Sequence, residues 1–203
     1  MNLSRGILLA TSNKGKLKEI RQILGEVVHV QFYTLSDVNA ENFDVEENGK
    51  TFKENALIKA KAYAEKFGFV TLADDSGLEV DYLKGAPGVK SARYAGTGAK
   101  DSDLYNKVLK ELKGVPSEKR TARFKCVICL YDPEDVSYIF SEGVCEGVIS
   151  TIPAGSNGFG YDPVFIPDGF APKTIAELDP KIKNSISHRG RALEALKSKL
   201  LQN

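Results

Sequence analysis

The sequence predicts an α/β fold. Strand-like runs of branched and aromatic residues alternate with runs in which apolar residues recur every three or four positions, as in amphipathic helices. The 203 residues fit one compact domain, and 42% hydrophobic with 27% charged residues is an ordinary globular composition. We therefore expect a single domain over residues 1–203, with two lobes and a cleft.

The individual elements follow from periodicity and from residues that begin or end helices. Thr51 and Glu54 form a capping box before one helix, which stops at Gly68. Residues 74–77 have the composition of a turn between two strands. The predicted helices cover residues 16–24, 52–67, 101–112 and 188–201. The predicted strands cover residues 5–10, 27–33, 69–73, 78–82, 121–131, 136–140, 143–149 and 164–166.

Charge and hydropathy exclude several classes of protein. The net charge is +1, so no global field attracts the chain to nucleic acid or to an anionic membrane, and we expect neither as a partner. The apolar run at residues 7–10 is too short for a signal-peptide core or a membrane span. We therefore expect a cytoplasmic protein.

The cysteines do not predict a metal or redox site. Cys126 and Cys129 have the CxxC spacing, but they fall within a predicted strand, where positions three apart face opposite sides. Buried structural thiols are the better interpretation.

A phosphate site is predicted where the first strand meets the first helix. Hydroxyls, backbone N–H groups at the positive end of a helix and two lysines favour an anion there. The GxxxxGK[ST] spacing of a Walker A loop is absent. The alternative is a capped helix start with exposed lysines. The segment consists of Thr11, Ser12, Asn13, Lys14, Gly15 and Lys16.

Two adjacent carboxylates predict a metal site. Asp74 and Asp75 follow a predicted strand, where open α/β sheets tend to bind ligands. Hard oxygen ligands suit Mg²⁺, which usually takes one or two carboxylates and completes its shell with water and substrate phosphates. A hairpin turn is the alternative. Asp44, Glu46 and Glu47 offer a further ligand, although such runs are usually solvated faces.

Two later segments contain residues suited to contact a ligand. In the glycine-rich stretch at residues 158–163, Phe159 or Tyr161 offers a flat surface for a base, and Asp162 a hydrogen-bond acceptor. His188 and Arg189 fall in the first turn of the last predicted helix, where cations are unfavourable unless an anionic or acceptor-rich partner is present. Turn and core residues of the same composition are the alternative.

Six segments, taken together and in this order, resemble the inosine-triphosphatase family of non-canonical purine nucleoside-triphosphate pyrophosphatases. They extend over nearly the whole chain and comprise residues 10–16, 51–56, 73–78, 85–96, 158–163 and 186–189. The resemblance implies a long twisted mixed sheet flanked by helices, two lobes around a substrate cleft, and a homodimer. It also implies Mg²⁺-dependent cleavage between the α- and β-phosphates of ITP, dITP and XTP.

The resemblance further implies a role for individual residues. Asp75 would bind Mg²⁺ and act as general base, with Asp74 supporting it. Ser76 would contact the substrate, while Lys16 and Lys59 would reach the phosphates held by residues 11–16. The nucleoside pocket would be lined by Phe159, Gly160, Tyr161, Asp162, Lys183, His188 and Arg189.

Two assignments have more than one candidate. Arg93 is a further phosphate contact or a residue at the dimer edge. An acidic residue before the second helix also serves the metal in the family, and among Asp44, Glu46 and Glu47 we select Glu46. A related pyrophosphatase for other modified nucleotides and a non-catalytic nucleotide-binding protein are the alternative functions.

Overall fold

The computed structural model describes residues 1–25 and 30–202. Its helices and strands lie close to the predicted ones. None of the described helices is long and apolar enough to cross a bilayer. In chain order the elements are β1 (Ile7–Leu9), α1 (Lys14–Leu24), β2 (Phe32–Tyr33), α2 (Phe52–Phe67), β3 (Val70–Val80), α3 (Asp101–Glu111), β4 (Thr121–Asp132), β5 (Ser137–Ile149), β6 (Phe165–Pro167), α4 (Pro180–Ile186) and α5 (His188–Leu201).

The strands form one mixed sheet in the order β2-β1-β3-β4-β5-β6. β1 pairs in parallel with β2 and with β3, so that Ile7 lies opposite both Phe32 and Val70. β5 pairs antiparallel with β6, with Val148 opposite Ile166. The predicted α/β class with a mixed sheet is therefore confirmed. Of the strand predicted at 27–33, residues 27–29 lie outside the described part of the chain.

The chain divides into two compact units. Unit 1 contains Met1–Asp75, Cys126–Gly143 and Arg189–Asn203, and unit 2 contains Ser76–Lys125 and Val144–His188. Each unit has an apolar core of its own. In unit 1, α1 and α5 pack against β1, β3 and β4 through buried Ile, Leu and Ala side chains. In unit 2, α3 packs against β3, β4 and β5.

The turn predicted at residues 74–77 is wrong, because β3 continues through it without interruption. Asp74 and Asp75 therefore lie within a strand rather than at a strand end. Asp, Ser and Gly are depleted in strands, but tertiary contacts override such propensities. Here Asp74 is compensated by two cations from elsewhere in the chain, so its burial is tolerated.

Two further differences concern the second half of the chain. The strands predicted at 136–140 and 143–149 are one strand, β5, in which the alternate residues from Ser141 to Ile149 are buried. The helix α4 was not predicted, although Asp179 caps it and Pro180 occupies its first turn, a typical helix start.

The two cysteines of the CxxC segment are buried, as predicted. Cys126 belongs to the core of unit 1, while Cys129 is also fully buried. Burial raises the pKa of both thiols to about 12, so they are protonated at neutral pH. Their environment is that of structural side chains.

Candidate functional site

The predicted phosphate segment forms a capped helix start in unit 1. Asn13 is the N-cap of α1, and its Oδ1 accepts hydrogen bonds from the N–H groups of Gly15 at 2.9 Å and Lys16 at 3.1 Å. Thr11 Oγ1 in turn accepts from the Asn13 N–H at 3.2 Å. Residues 12–15 are exposed, whereas Lys16 points inward and is half-buried. The positive end of α1 is thus accessible, and one lysine is fixed beside it.

Lys16 is part of a buried network of four charges. Its Nζ lies 2.8 Å from Asp74 Oδ2, and Arg189 approaches the same oxygen through Nε at 3.3 Å. The other end of Arg189 donates to Glu19 Oε2 at 2.7 Å. Two anions and two cations balance each other, which is the condition under which burial of such groups is tolerated.

Asp74 is held ionised by this network. Burial alone would raise the pKa of Asp74, but the positive charges of Lys16, Arg189 and Lys59 outweigh it and hold that pKa well below its ordinary value. Asp74 therefore remains a carboxylate at neutral pH and is a poor proton acceptor. Its position suits it to fix Lys16.

The network corrects the sequence analysis in two respects. Arg189 was predicted to line the nucleoside pocket, but it is buried in unit 1 and joins Asp74 to Glu19. Glu19 was not singled out. It lies three positions after Lys16, on the same face of α1, directly before the buried Ile20. An acidic residue on the apolar side of the helix was the feature of the sequence that could have indicated a buried ion pair.

Asp75 has the opposite environment, because successive side chains of a strand face opposite sides of the sheet. It is half-buried on the side of α2, where Asn55 Nδ2 donates to Asp75 Oδ2 at 3.0 Å. Burial, with the negative charges of Glu47 and Asp74, raises the pKa of Asp75 to about 6, although Asn55 and Lys59 oppose the shift. A carboxyl group with a pKa near the working pH is suited to proton transfer.

Asn55 is a second residue that sequence reasoning missed. It is buried on α2 between the apolar Phe52 and Ala56, and its Oδ1 accepts from the N–H of Gly49 at 2.8 Å. Both ends of its amide are therefore used, one on the chain before α2 and one on Asp75. A polar residue within an apolar helical stripe was the signal for this role.

Glu47, and not Glu46, lies next to this group. Glu47 Oε1 is 2.9 Å from Lys59 Nζ, and Lys59 follows Asn55 by one helical turn on α2. Glu46 is exposed, as is Asp44. Burial alternates along residues 44–49, as expected for extended backbone, and this alternation turns Glu47 inward. The position of Glu46 therefore does not support its selection as the metal ligand. The segment before α2 has no helix or strand, so the sequence did not show which of its acidic side chains faces inward.

These residues fit a cation that is shared with a substrate better than a closed metal cage. Among residues 1–25 and 30–202, no group of three or more metal-ligating side chains occurs. Mg²⁺ normally needs only one or two carboxylates when phosphates complete its shell. Asp75 and Glu47 are close enough to interact as like charges, which a divalent cation would relieve.

In unit 2, the glycine-rich segment presents Phe159. Asp162 Oδ2 accepts from the Phe159 N–H at 3.0 Å and from Lys183 Nζ at 2.9 Å. The same Lys183 ammonium lies 4.8 Å from the centroid of the Phe159 ring. Gly158 has a φ of +83°, and a Cβ there would lie 2.0 Å from Asp162 Oδ2. A glycine is therefore required for the loop to fold back on Asp162.

The other predicted nucleoside residues of unit 2 have different environments. Tyr161 is buried in the core, and its hydroxyl donates to the Ser91 carbonyl at 2.8 Å. Phe159 is half-buried, so of the two aromatic residues it is the one that offers a flat surface. His188 is buried and stacks on Phe124, with ring centroids 4.8 Å apart and planes at 12°.

Two further predicted contacts, Ser76 and Arg93, lie in different elements. Ser76 directly follows Asp75 in β3 and is half-buried. Arg93 is exposed at the end of the 3₁₀ segment Gly88–Arg93. The structure thus gathers Lys16, Asp74 and Arg189 into one group, and Asp75, Glu47 and Lys59 into another, within unit 1. Phe159, Asp162 and Lys183 form a third in unit 2.

The sequence matches the model of the Ham1 family over residues 7–199. The chain belongs to the Ham1 family. Among its relatives, the dITP/XTP pyrophosphatases of Desulforamulus reducens and Geobacter sulfurreducens are each 50% identical to it. These two alignments cover 93% and 96% of this chain and 92% and 96% of the relatives, respectively.

Solved structures of Ham1-family members have the same fold as this Ham1-family chain. A HAM1 protein from Coxiella burnetii superposes with a TM-score of 0.89 at 44% identity, covering 98% of this chain and 99% of that protein. The Staphylococcus aureus Ham1 protein gives a TM-score of 0.87 at 38% identity, covering 97% and 98%. The family resemblance drawn from the six sequence segments is confirmed.

Proposed function

We propose that this chain hydrolyses dITP, XTP and ITP to the nucleoside monophosphate and pyrophosphate. Relatives named dITP/XTP pyrophosphatase share about half of its residues over nearly the full length. The observation that carries the proposal is that two adjacent carboxyl groups have pKa values shifted in opposite directions. Asp74 is fixed as an anion, while Asp75 has a pKa of about 6. Such divergence is typical of acid–base sites.

Asp75 would act as the general base. Its carboxylate would orient a water molecule and accept its proton as the water attacks the α-phosphorus. Asn55 would hold one carboxyl oxygen in place through its side-chain amide, so that the other faces the water. A group whose pKa is about 6 is mostly ionised at neutral pH but still binds a proton readily.

Lys16 and Lys59 would stabilise the charge that develops on the phosphate oxygens. Each is fixed by a carboxylate, Lys16 by Asp74 and Lys59 by Glu47, so little reorganisation is needed when substrate binds. The hydroxyls of Thr11 and Ser12 and the positive end of α1 would bind the remaining phosphates.

Asp75 and Glu47 would hold a Mg²⁺ ion that also binds the triphosphate. When bound, this ion would neutralise negative charge on the phosphoryl group and on the leaving pyrophosphate. The two carboxylates carry the like-charge repulsion described above, and a cation would convert that repulsion into attraction. Glu47 takes the place that the sequence analysis gave to Glu46.

The base would be recognised by the group in unit 2. Phe159 offers a ring for stacking, while Lys183 and Asp162 offer a donor and an acceptor next to it. Hypoxanthine and xanthine carry a 6-oxo acceptor, whereas adenine carries a 6-amino donor. A site built to donate to an oxo group rejects an amine strongly, because buried polar groups are then left unpaired.

We also propose a cytoplasmic homodimer, for which the family resemblance is the support.

The expected substrate preference can be tested with the wild-type chain. We expect rapid release of pyrophosphate from dITP, XTP and ITP with Mg²⁺, and at least about 100-fold lower kcat/KM for ATP, CTP and UTP. The measurement is a panel in which pyrophosphate and orthophosphate are quantified separately. Release of orthophosphate would indicate a different scission, and tight binding without turnover would indicate a nucleotide-binding protein.

The metal assignment can be tested with neighbouring glutamates. Glu47→Gln should raise the Mg²⁺ concentration for half-maximal activity by about tenfold, because one of two carboxylate ligands is lost. Glu46→Gln is the matched control, with the same change one residue away on an exposed side chain, and should behave as wild type. A larger effect of Glu46→Gln than of Glu47→Gln would restore the original assignment.

A further inference from the structure

The loop that carries Phe159 is held by a residue of α3. Asp101 is the first residue of that helix, and its Oδ2 accepts a hydrogen bond from the Gly160 N–H at 2.8 Å. The preceding N–H, that of Phe159, is held by Asp162. The two amide N–H groups on either side of the Phe159 side chain thus both donate to carboxylates, and such charge-assisted bonds are stronger than neutral ones.

Two glycines give the backbone beside Phe159 conformational freedom, which these two carboxylate contacts restrict. Gly158 and Gly160 have φ angles of +83° and +62°, and glycine visits such conformations and many others freely. A Cβ at Gly160 would have no atom within 4 Å, so nothing packs closely on the side where a side chain would lie. The hydrogen bonds to these two amides, together with the bond from the Asp162 N–H to the Phe159 carbonyl at 3.2 Å, therefore hold the backbone on both sides of Phe159.

Asp101 stands on a firmly placed helix. Leu104 and Val108 of α3 are buried in the core of unit 2. On another face of the helix, Lys107 Nζ donates to the Tyr94 carbonyl at 2.7 Å and lies 4.2 Å from the Tyr94 ring centroid. A carboxylate on such a helix can hold the loop that it contacts in a fixed position.

We propose that Asp101 is a positioning residue for base recognition. It does not contact the nucleotide; it holds the Gly160 peptide and thereby sets the Phe159 ring at the angle at which a purine stacks. This inference rests on the proposed function, in which Phe159 is the stacking surface. Pre-organising the loop reduces the conformational entropy that is lost when the base binds.

The test compares two aspartates of the first turn of α3. Asp101→Ala should raise the KM for dITP about tenfold, the scale of one lost charge-assisted hydrogen bond, with kcat changed less than about twofold. Inorganic tripolyphosphate, which has no base, should inhibit this variant as strongly as wild type. Asp103→Ala is the control, since Asp103 accepts from the Lys100 N–H at 3.0 Å and supports the helix start. It should leave the KM unchanged.

A second variant separates positioning from folding. Asp101→Ser keeps a hydroxyl suited to a helix start but is too short to reach the Gly160 amide, so the same rise in KM is expected. Asp101→Asn retains an acceptor oxygen and should restore most of the affinity. A wild-type KM in both Asp101→Ala and Asp101→Ser, or an equal rise in Asp103→Ala, would overturn the proposal. Failure of the wild-type chain to cleave dITP would instead count against the proposed function.

Discussion

Replacing Asp75 with asparagine is expected to lower the turnover of dITP by about a thousandfold, within the range measured for the loss of a general base. The asparagine has nearly the same size and keeps an oxygen that can accept from Asn55, so the fold should be retained. What is lost is the proton acceptor and the charge that binds Mg²⁺. The measurement is pyrophosphate release under saturating dITP and Mg²⁺.

The same variant should be more stable than wild type at high pH. The fold favours the protonated form of Asp75, and this preference raises the pKa from an ordinary 3.8 to about 6. The corresponding stability is fully present below about pH 4 and is lost as the pH rises through 6. At pH 8 the ionised group destabilises the fold by up to about 3 kcal/mol, a loss that asparagine removes.

Urea unfolding without divalent cations checks this sign. The gain in unfolding free energy of Asp75→Asn over wild type should be largest at pH 8 and absent at pH 4. Asp44→Asn, the same change at an exposed position, should show neither the gain nor the loss of turnover. Turnover of Asp75→Asn close to that of wild type would exclude Asp75 as the base.

Some features of the fold could be predicted because they depend only on residues that are close together in the sequence. The N-cap at Thr51 and the stop at Gly68 depend on residues within one helical turn, and both are confirmed, with Thr51 accepting from the Glu54 N–H at 3.1 Å and Gly68 at a φ of +72°. The reciprocal bond of the predicted capping box differs, because the Glu54 side chain accepts from the Lys50 N–H at 2.6 Å. Cap geometry of this kind is decided by neighbours in sequence. The order of α and β elements was predictable for the same reason.

The site was less predictable because its energetics are long-range. Residues 74–77 have the composition of a turn, and nothing nearby in the sequence compensates a buried Asp74. The compensation comes from Lys16 in α1 and from Arg189, which is 115 positions away. Only the folded arrangement shows that Asp74 can remain inside a strand, and that its neighbour Asp75 faces a different set of charges.

Replacing Arg189 with methionine should destabilise the fold strongly. It leaves the carboxylates of Asp74 and Glu19 without their common cation, and breaking a buried ion pair in this way costs about 3–5 kcal/mol of unfolding free energy. Arg191→Met, on the exposed side of the same helix, should change it by less than about 0.5 kcal/mol. Urea unfolding at pH 7 measures both.

The pH dependence identifies the carboxylate involved. The pKa of Asp74 is held below its ordinary value of 3.8, so its contribution to stability is present above about pH 4 and is lost as the pH falls further. The deficit of Arg189→Met should therefore be largest at neutral pH and shrink towards pH 3. Adding Glu19→Gln should recover part of it, because one orphaned charge is removed.

The alternative for Arg189 gives a different result. If it lined the nucleoside pocket, as the family resemblance implied, its loss would reduce the preference for dITP over ATP and leave the unfolding free energy nearly unchanged. The buried network predicts the reverse order of effects, since Arg189 holds Asp74 and through it Lys16, which would serve the phosphates of every nucleotide alike. A stable variant that has lost its selectivity would therefore assign Arg189 to recognition of the nucleobase. An unstable variant with an unchanged ratio of dITP to ATP turnover would assign it to the buried network.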